Sequence, residues 1–593
     1  MIENANISVH QINTVTGDLI GNTRKILNCL KLDKNHASYD DNVDISVFPE
    51  TAISGYCCGS LWDREDFIRD QISRLKKIEE YRKELGLCGI IVIGFVSSHG
   101  INRNGFPILK NSVAVIDDNG IRTYDKQLLA DTDHHEDRKY FTEGTETKVF
   151  EVNLPSIGKT IIGTPICEDA WFMNHSRDIS REMVDMGAEI LIIPNQSYFY
   201  YGKQKIRKNL FSKIAKNNMV PVISVNSVGC GDIVKNIIIY DGASLVYNSY
   251  GRLVKELPKF EEKTETFRLK DCEPILGSND SKYKEITEAI IFEQKEFFKL
   301  SGIENAQVHV SGGLDSSIVA ALVYRAMGKE HTIFISNPSS LNTKSKSYVN
   351  QLDEKLGMIT YWQPIQSTVD EILNVDDVHM KNAPKLSDTG KASIHAVLRT
   401  VLGLEDTHRF KSGIVSTGNQ TEIVLSWSSF HDIGSIGVHA IIGDLTKVEL
   451  YELSEYINKE LYNDEIVPYD LYNGKFKPAA ELPDANEDPI DYWVQSGICA
   501  SLIRDRKTRD DLILDYKNKS LNIDYFPKMD EVYKYDIKQW DEQVNFAVNK
   551  MKISVYKAAQ SSPIVIISPR SRGFSNRETL INKYKSINNI SLD

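Results

Sequence analysis

The sequence is poor in cysteine and contains no arrangement of cysteines typical of a metal site. Eight cysteines occur in 593 residues, and no Cys-x-x-Cys pair or Cys/His ligand spacing is present. A disulfide framework and a zinc site are therefore not expected. Sparse, unpatterned cysteines are typical of a reducing compartment, so we expect a cytoplasmic location.

Long apolar runs and excess positive charge are also lacking. No run approaches the roughly 18 apolar residues of a membrane-spanning helix, and the opening Met1-Ile2-Glu3-Asn4 shows no signal-peptide pattern. The chain has 70 Lys and Arg against 82 Asp and Glu, a net charge of −12. We therefore expect no membrane partner and no nucleic-acid partner. Neither an internal repeat nor a low-complexity tract is present.

The length of 593 residues is sufficient for two to four domains, and the composition is that of an ordinary globular protein. The first part alternates short strands with helical or loop segments, and several strands lack polar alternation, which favours covered sheets. The polar stretch 255–280 is predicted to be a linker, and the boundary is placed between domains 1–270 and 271–593. Strands are predicted at 7–12, 44–48, 89–95, 112–116, 160–163, 189–193 and 221–225.

The second part begins with a helical pattern at 284–300. Strand, loop and helix then alternate through Thr332–Ser336, a helix at 343–356 and a strand at Ile359–Trp362. This order predicts a doubly wound α/β domain, in which ligands bind at the carboxyl ends of parallel strands. The last hundred residues are predicted to end in mixed loops.

A glycine-rich loop follows the apolar run Val308-His309-Val310 and opens a helix. Glycines allow close backbone approach to an anion, and a helix N-terminus offers free N–H groups and the positive end of a dipole. Asp315 has the wrong charge for phosphate, so we assign it to Mg²⁺. The simpler alternative is a glycine turn with an Asp cap. The predicted phosphate ligands are Ser311, Gly312, Gly313, Asp315, Ser316 and Ser317.

This loop lacks the Gly-Lys-Ser/Thr of a Walker motif. It resembles instead the pyrophosphate loop of ATP pyrophosphatases, which cleave ATP between the α and β phosphates. The resemblance implies ATP as a substrate and Mg²⁺ as its companion.

Three strand ends in the first part carry a Glu, a Lys and a Cys that together suit acyl transfer. Cys167 is the candidate nucleophile, and Glu50 the candidate general base and acid. Lys126 would stabilise the oxyanion and favour the thiolate. Taken singly, each residue is more simply a core cysteine or a solvated surface charge.

Together with their neighbours, these residues resemble the nitrilase-type amidases, which use a Glu-Lys-Cys triad on an αββα sandwich. The match runs over residues 1–255 and includes Phe48-Pro49-Glu50, Asp125-Lys126 and Cys167-Glu168-Asp169. It implies that Ser197, Lys203 and Arg207 clamp the carboxylate of glutamine, although these residues could equally form an exposed helix face. Either Glu136 or Asp137 would be the family's auxiliary acid.

The second half adds a second strand-end loop, Ser416 to Glu422, after the apolar Ile414-Val415. Glu422 could share Mg²⁺ with Asp315, because two carboxylates suit this hard cation. Lys447 could neutralise a transferring phosphate. By composition alone these residues, with Arg399 and Arg570, could instead be surface features.

The order of these motifs resembles that of the glutamine-dependent NAD⁺ synthetases. The resemblance implies a two-site ligase in which glutamine supplies ammonia, along a sheltered path, to adenylated deamido-NAD. It implies homo-oligomers built on synthetase-domain dimers. Departures occur at Gln420, which replaces a lysine, and at 426–432 and 485–488, near the acceptor. Arg399, Thr417 and Lys447 would bind ATP, and Asn419, Glu422, Lys477 and Arg570 would bind deamido-NAD.

Three rival functions remain at this stage. The chain could be a nitrilase or amidase with a degenerate nucleotide-binding domain, a glutamine-dependent ligase that adenylates another acid, or a non-catalytic scaffold. The complete set Glu50, Lys126 and Cys167 argues against a scaffold. The complete loops at 311–317 and 416–422 argue against a plain hydrolase.

Overall fold

The computed structural model describes residues 2–35, 43–132, 134–233, 235–339, 345–380, 383–427, 431–473, 490–553, 555 and 560–571. The chain divides into two compact units. The first comprises Met1–Ile233 and Ile238–Lys282, and the second comprises Val234–Ile237 and Tyr283–Asp593. The domain boundary predicted after residue 270 stays a prediction.

The first unit is built from short strands with five helices among its described residues. The helices are α1 (Leu19–Lys34), α2 (Glu65–Glu84), α3 (Asp137–Tyr140), α4 (Ile179–Asp185) and α5 (Lys203–Asn218). The strands are β1 (Asn6–Gln11), β2 (Ile45–Val47), β3 (Ile90–Ile101), β4 (Pro107–Asp117), β5 (Gly120–Asp125), β6 (Val149–Leu154), β7 (Gly158–Gly163), β8 (Ile190–Asn195), β9 (Val222–Asn226), β10 (Val228–Ile233), β11 (Asn236–Asp241), β12 (Leu245–Tyr247), β13 (Leu253–Glu256) and β14 (Lys263–Arg268).

Two six-stranded sheets form the centre of this unit. One has the order β14-β1-β2-β3-β4-β5, and the other has the order β13-β12-β9-β8-β7-β6. Inward side chains of both sheets share one core, which also receives α4 and α5. Helices α1 and α2 pack with the outer face of the first sheet in a second core. The predicted αββα sandwich is therefore confirmed.

The two cores explain why the strands show no polar alternation. Along β3, Ile90 and Val92 point into the core between the sheets, whereas Ile91 and Ile93 point toward the helices. Alternate residues of a strand face opposite sides of its sheet, so a strand covered on both faces needs apolar residues at every position.

The prediction of a linker at 255–280 is wrong over much of its length. Residues 263–268 form β14, which pairs antiparallel with β1 from Asn6↔Arg268 to Gln11↔Lys263. The segment is polar because β14 is an edge strand, and only Phe267 and the following Leu269 are buried apolar residues there.

The second unit consists of a small sheet and many helices. Its strands are β15 (Asn305–His309), β16 (Thr332–Ser336), β17 (Tyr361–Trp362), β18 (Ser412–Ile414) and β19 (Ile564–Val565). The helices are α6 (Lys282–Ser301), α7 (Leu314–Met327), α8 (Ser345–Leu356), α9 (Gln366–His379), α10 (Asp388–Phe410), α11 (Gln420–Leu425), α12 (Lys447–Tyr456), α13 (Tyr492–Arg504), α14 (Arg509–Asn518), α15 (Met529–Val532) and α16 (Ile537–Ile553).

The sheet of this unit has the order β17-β16-β15-β18, and its pairs are all parallel. The chain therefore builds outward from β15 to β17 and then returns to the other side of β15 with β18. Ligands of doubly wound sheets bind where the strand order reverses. Here that point lies between the ends of β15 and β18, and the predicted doubly wound fold is confirmed.

In the described part of the chain, four helices follow residue 490. Helices α13 to α16 surround a core that contains Ile498, Leu512, Val532, Trp540 and Val544. These helices were not predicted from the sequence, because their apolar positions lie among many Lys and Asp residues. The mixed loops predicted at the end of the chain fall largely on residues outside the described ranges. None of the described helices combines the length and apolar composition that crossing a membrane requires.

Candidate active sites

The first unit buries a glutamate and a lysine against each other at the ends of two strands. Glu50 follows β2 and Lys126 follows β5, and each side chain is only 1% exposed. Lys126 Nζ donates to Glu50 Oε1 at 2.7 Å. A buried charge is stable only when it is paired, so the position of each group depends on the other.

Two further groups hold the carboxylate of Glu50. Asn111 Nδ2 donates to Oε1 at 2.7 Å, and the Gln196 main-chain N–H donates to Oε2 at 2.8 Å. The orientation of Glu50 is thus determined by three donors. Asn111 lies inside β4, where no local sequence pattern reveals its role.

The structure brings Asp137, rather than Glu136, to Lys126. Lys126 Nζ donates to Asp137 Oδ2 at 2.8 Å, and Tyr56 OH donates to Oδ1 at 2.6 Å. Burial opposes ionisation of Asp137, but Lys126 holds its pKa below the usual value. Glu136 instead receives a hydrogen bond from Lys139 at 3.1 Å. Between the two acids left open by the sequence, Asp137 has the contact that an auxiliary acid needs.

Cys167 occupies a strained position after β7. Its φ is +43° at the start of a short 3₁₀ turn, Cys167–Ala170. A non-glycine residue with positive φ persists only where surrounding contacts enforce it, as they often do at reactive sites. Burial raises the pKa of its thiol, and the charge of Glu50 adds to that effect while Lys126 opposes it. The thiol therefore needs a base to become nucleophilic.

Asp169 connects the lysine loop to the cysteine turn. Its Oδ1 accepts the N–H groups of Gln127 and Leu128 at 3.0 and 2.8 Å, and its Oδ2 accepts the Ile166 N–H at 3.1 Å. Tyr124 OH donates to Oδ2 at 2.8 Å. One buried carboxylate thus fixes the segment after Lys126 relative to the segment before Cys167.

Lys203 and Arg207 lie one turn apart on α5 and are 5% and 3% exposed. The alternative of an exposed helix face is therefore wrong. Arg207 pairs with Asp241, which occupies its guanidinium. Ser197 is also buried, and its N–H donates to Asn226 Oδ1 at 2.9 Å.

Lys203 packs against Tyr198. Its Nζ donates to the Tyr198 carbonyl at 2.8 Å and lies 3.9 Å from the centre of the Tyr198 ring. Burial, aided by Arg207, lowers the pKa of Lys203 to about 7, and the charge of Cys167 opposes that shift. An anionic group of a substrate would favour the charged lysine.

The glycine loop of the second unit lies where β15 ends and α7 begins. Gly312 has a φ of +75°, which favours glycine, and Gly313 caps α7. Ser316 and Ser317 hydroxyls donate to the Gly313 carbonyl at 3.1 and 2.8 Å. Ser311 Oγ lies 3.1 Å from Ser316 Oγ. The loop is preformed through its own serines.

Asp315 and Glu422 meet across the sheet at the reversal of strand order, with Lys447 between them. Lys447 Nζ pairs with Asp315 and lies 3.4 Å from Glu422 Oε1. Asn419 Nδ2 donates to Asp315 Oδ1 at 2.8 Å. Burial and the charge of Asp315 raise the pKa of Glu422 to about 7. The two loops predicted separately thus form one charged cluster.

The described residues contain no group of three or more His, Cys, Asp and Glu side chains arranged to hold a metal ion. The predicted pair Asp315 and Glu422 nevertheless fits Mg²⁺ in its chemistry. Mg²⁺ is usually held by one or two carboxylates, with substrate phosphates and water completing its shell. Burial and the charge of Asp315 both disfavour a charged Glu422, and a bound cation would offset the second of these effects.

The remaining predicted residues contact main-chain carbonyls elsewhere in the second unit or lie outside the described part of the chain. Arg399 Nε donates to the Asn337 carbonyl at 3.1 Å, and the Thr417 N–H donates to the Gly434 carbonyl at 3.1 Å. Arg570 donates to the Arg504 carbonyl at 3.0 Å. Lys477 and the segments 428–430 and 485–488 lie outside the described residues.

Gln420, which departs from the pattern of the resembling family, is fully buried in a polar network. Its Nε2 donates to Asp444 Oδ1 at 2.9 Å. Asp444 Oδ2 accepts the N–H groups of Ile567 and Ser568 at 2.9 and 2.7 Å. The network ties the loop of Glu422 to the turn before Lys447 and to the segment before Arg570. This role of Asp444 was not predicted from the sequence.

Comparison with known proteins matches each half of the chain to a family. The family model for carbon-nitrogen hydrolases matches residues 6–272, and that for NAD synthases matches residues 288–536. The Glu50, Lys126 and Cys167 cluster lies in the first match. The Asp315, Glu422 and Lys447 cluster lies in the second.

Relatives with both halves are known. The chain is 26% identical over 533 residues to a glutamine-dependent NAD(+) synthetase of Synechocystis sp., covering 86% of this chain and 90% of the relative. It is 25% identical over 521 residues to that of Thermotoga maritima, covering 81% and 85%. The solved structure of the Acinetobacter baumannii synthetase with adenosine diphosphate has a TM-score of 0.69 at 22% identity, covering 97% and 98%. At this level of identity, the similarity shows that the two chains share a fold.

Proposed function

We propose that this chain is a glutamine-dependent NAD⁺ synthetase, because residues 6–272 match the carbon-nitrogen hydrolase family and residues 288–536 match the NAD synthase family. It hydrolyses glutamine to glutamate and ammonia in the first unit. In the second unit it adenylates the carboxylate of deamido-NAD with ATP and amidates it with ammonia. The products are NAD⁺, AMP, pyrophosphate and glutamate.

In the first unit, Glu50 takes the proton of the Cys167 thiol as sulfur attacks the glutamine amide carbon. The N–H groups of the turn after Cys167, with Lys126, stabilise the oxyanion. Glu50 then gives the proton to the departing ammonia, and water hydrolyses the thioester. Lys203 and Ser197 hold the amino-acid end of glutamine. Because Arg207 is paired with Asp241, we assign it to holding the site in shape rather than to direct contact with glutamine.

In the second unit, the loop Ser311–Ser317 holds the phosphates of ATP at the start of α7. The carboxylate of deamido-NAD attacks the α-phosphorus, and pyrophosphate leaves. Lys447 offsets the charge that develops on the phosphates. Arg399 and Thr417 complete the ATP site, and Asn419, Glu422, Lys477 and Arg570 contact deamido-NAD. Ammonia displaces AMP from the adenylate.

We assign Mg²⁺ to Asp315 and Glu422. When bound, this cation supplies charge neutralisation and orientation of the phosphate oxygens. Lys447 contacts both carboxylates, so it holds the two acids in place. Its positive charge would also interact with the phosphates of the substrate. The domains proposed for these two activities are 1–270 and 271–593.

The observation that carries this proposal is that both reactive clusters are complete. Glu50, Lys126 and Cys167 are buried with their partners, and Asp315, Glu422 and Lys447 converge at the reversal of strand order. A hydrolase with a degenerate second half would have no reason to keep a buried lysine between two acids, because such a cluster costs desolvation energy.

The test is an assay of the purified chain with ATP, Mg²⁺ and deamido-NAD, supplied with either glutamine or ammonium. We expect equal amounts of NAD⁺, AMP and pyrophosphate in both reactions, and glutamate only with glutamine. Formation of no NAD⁺ from either nitrogen source would refute the proposal. A different acid that supports AMP release in place of deamido-NAD would identify the other adenylating ligase.

We also propose a cytoplasmic homo-oligomer built on second-unit dimers. The eight free cysteines support the location. Val397, Val401 and Leu404 lie on one face of α10 and are 40, 56 and 52% exposed, and an apolar helix face of this kind is typical of an interface. Light scattering of the purified chain should give a multiple of 67.2 kDa. A single-chain mass at micromolar concentration would contradict the proposal.

A further inference from the structure

Three neighbouring rings of the first unit lie near the triad, and we name them the aromatic wall: Tyr56, His135 and Tyr198. The His135 ring lies 4.7 Å from that of Tyr198 and 6.1 Å from that of Tyr56, between ring centres. Tyr56 and Tyr198 belong to one buried apolar cluster. His135 is the polar member of the wall and is half-buried.

Each end of the aromatic wall is anchored in the machinery described above. Tyr56 OH donates to Asp137, which in turn holds Lys126. Tyr198 follows Gln196, whose N–H donates to Glu50, by two residues. The Tyr198 ring also lies beneath Lys203 Nζ. The wall therefore runs from the amide-cleaving end of the site to the lysine proposed to hold the substrate carboxylate.

His135 has one ring nitrogen occupied and one available. Its Nδ1 lies 2.6 Å from Thr132 Oγ1, whereas no hydrogen bond to Nε2 occurs among the residues that the structure describes. Burial and the charge of Lys203 lower the pKa of His135 to about 3, so the ring is neutral. If Nδ1–H donates to Thr132, then Nε2 is an acceptor.

An acceptor at this place matches one group of the substrate. Glutamine carries an α-ammonium next to the α-carboxylate, and Lys203 can satisfy only the carboxylate. Lys126 is already paired with Glu50 and Asp137, and a lysine cannot accept a hydrogen bond from an ammonium. A neutral acceptor near these lysines can hold it. A hydrogen bond to a charged group is stronger than a neutral one, by roughly twofold.

We propose that His135 determines substrate specificity, with its Nε2 accepting a hydrogen bond from the α-ammonium of glutamine while Thr132 fixes the ring through Nδ1. The aromatic wall holds the His135 ring in place. An amide that lacks an α-amino group cannot donate a hydrogen bond to Nε2, so His135 does not stabilise its binding. This inference rests on the proposed glutaminase activity, which it deepens by naming the determinant of the amino-acid end.

The test compares glutamine with glutaramate, which has the same carboxylate and amide but no α-amino group. For His135→Ala, kcat/KM for glutamine should fall roughly 10- to 100-fold, the range expected on loss of a hydrogen bond to a charged group. The value for glutaramate should change less than about twofold, because that substrate makes no such bond. His135→Gln, which retains an acceptor, should recover part of the loss.

Two controls separate this role from a structural one. His331→Ala, at a histidine of the second unit that contacts Asn305, should leave both values unchanged. Thr132→Val, at an exposed residue, should weaken glutamine selectively and keeps the inference testable if His135→Ala does not fold. Equal losses with both substrates, or no loss with glutamine, would overturn the inference. Absence of glutamine hydrolysis by the unaltered chain would instead refute the proposed function.

Discussion

Replacing Cys167 with alanine is expected to abolish NAD⁺ formation from glutamine and to preserve NAD⁺ formation from ammonium. Loss of a catalytic nucleophile reduces kcat by about 10⁴-fold or more. The second-unit cluster of Asp315, Glu422 and Lys447 lies in a different compact unit, and substitutions at separate sites have nearly independent effects. The ammonium-driven rate should therefore stay within about twofold of the unaltered value.

The measurement is the initial rate of NAD⁺ formation with each nitrogen source, together with glutamate release. Cys88→Ala provides a matched control, because Cys88 is an exposed free cysteine, and it should leave both rates unchanged. Equal loss of the glutamine and ammonium reactions in Cys167→Ala would show that the assignment of two separate sites is wrong. Retention of glutamate release would remove Cys167 from its role as nucleophile.

Replacing Lys447 with methionine is expected to give the opposite pattern. Loss of one preorganised charge that stabilises a transition state reduces kcat by about 10²- to 10³-fold. NAD⁺ and AMP formation should therefore fall by that factor with glutamine and with ammonium alike. Hydrolysis of glutamine in the first unit should continue, because its triad does not include Lys447.

The side chain of Lys447 is also the charge partner of Asp315 and Glu422, so its loss leaves two acids without their shared cation. Increasing Mg²⁺ should recover part of the lost activity if that cation binds the same acids. Lys459→Met, at an exposed lysine paired with Glu455, is the matched control and should behave as the unaltered chain. Unchanged AMP formation in Lys447→Met would remove this lysine from the ATP site.

The fold could be predicted from local patterns to a large extent. Each strand predicted in the first unit overlaps an observed strand. Such elements are predictable because apolar runs and turn residues act over a few neighbours. Edge strand β14 and helices α13 to α16 were missed, because their polar composition conceals the apolar positions that face a core.

In the candidate sites, too, some residues could be predicted from local patterns and others could not. Glu50, Lys126 and Cys167 were recognisable as residues at strand ends, and Asp315 as part of a glycine loop. The partners that orient them were not, since Asn111 lies within a strand and Tyr56 in a turn with no chemical pattern around it. A hydrogen-bond partner from a distant part of the chain leaves no local signal.

The amino-acid sequence by itself determined the order of the predicted strands and loops, the composition of the two reactive sets and the lack of a cysteine spacing typical of metal sites, because these depend on residue type and near-neighbour spacing. Only the tertiary structure decided which of Glu136 and Asp137 contacts Lys126, that Arg207 is paired with Asp241, and that Lys447 lies between Asp315 and Glu422. These contacts join residues far apart in the chain, and burial makes each charge depend on the particular partner that packing brings to it.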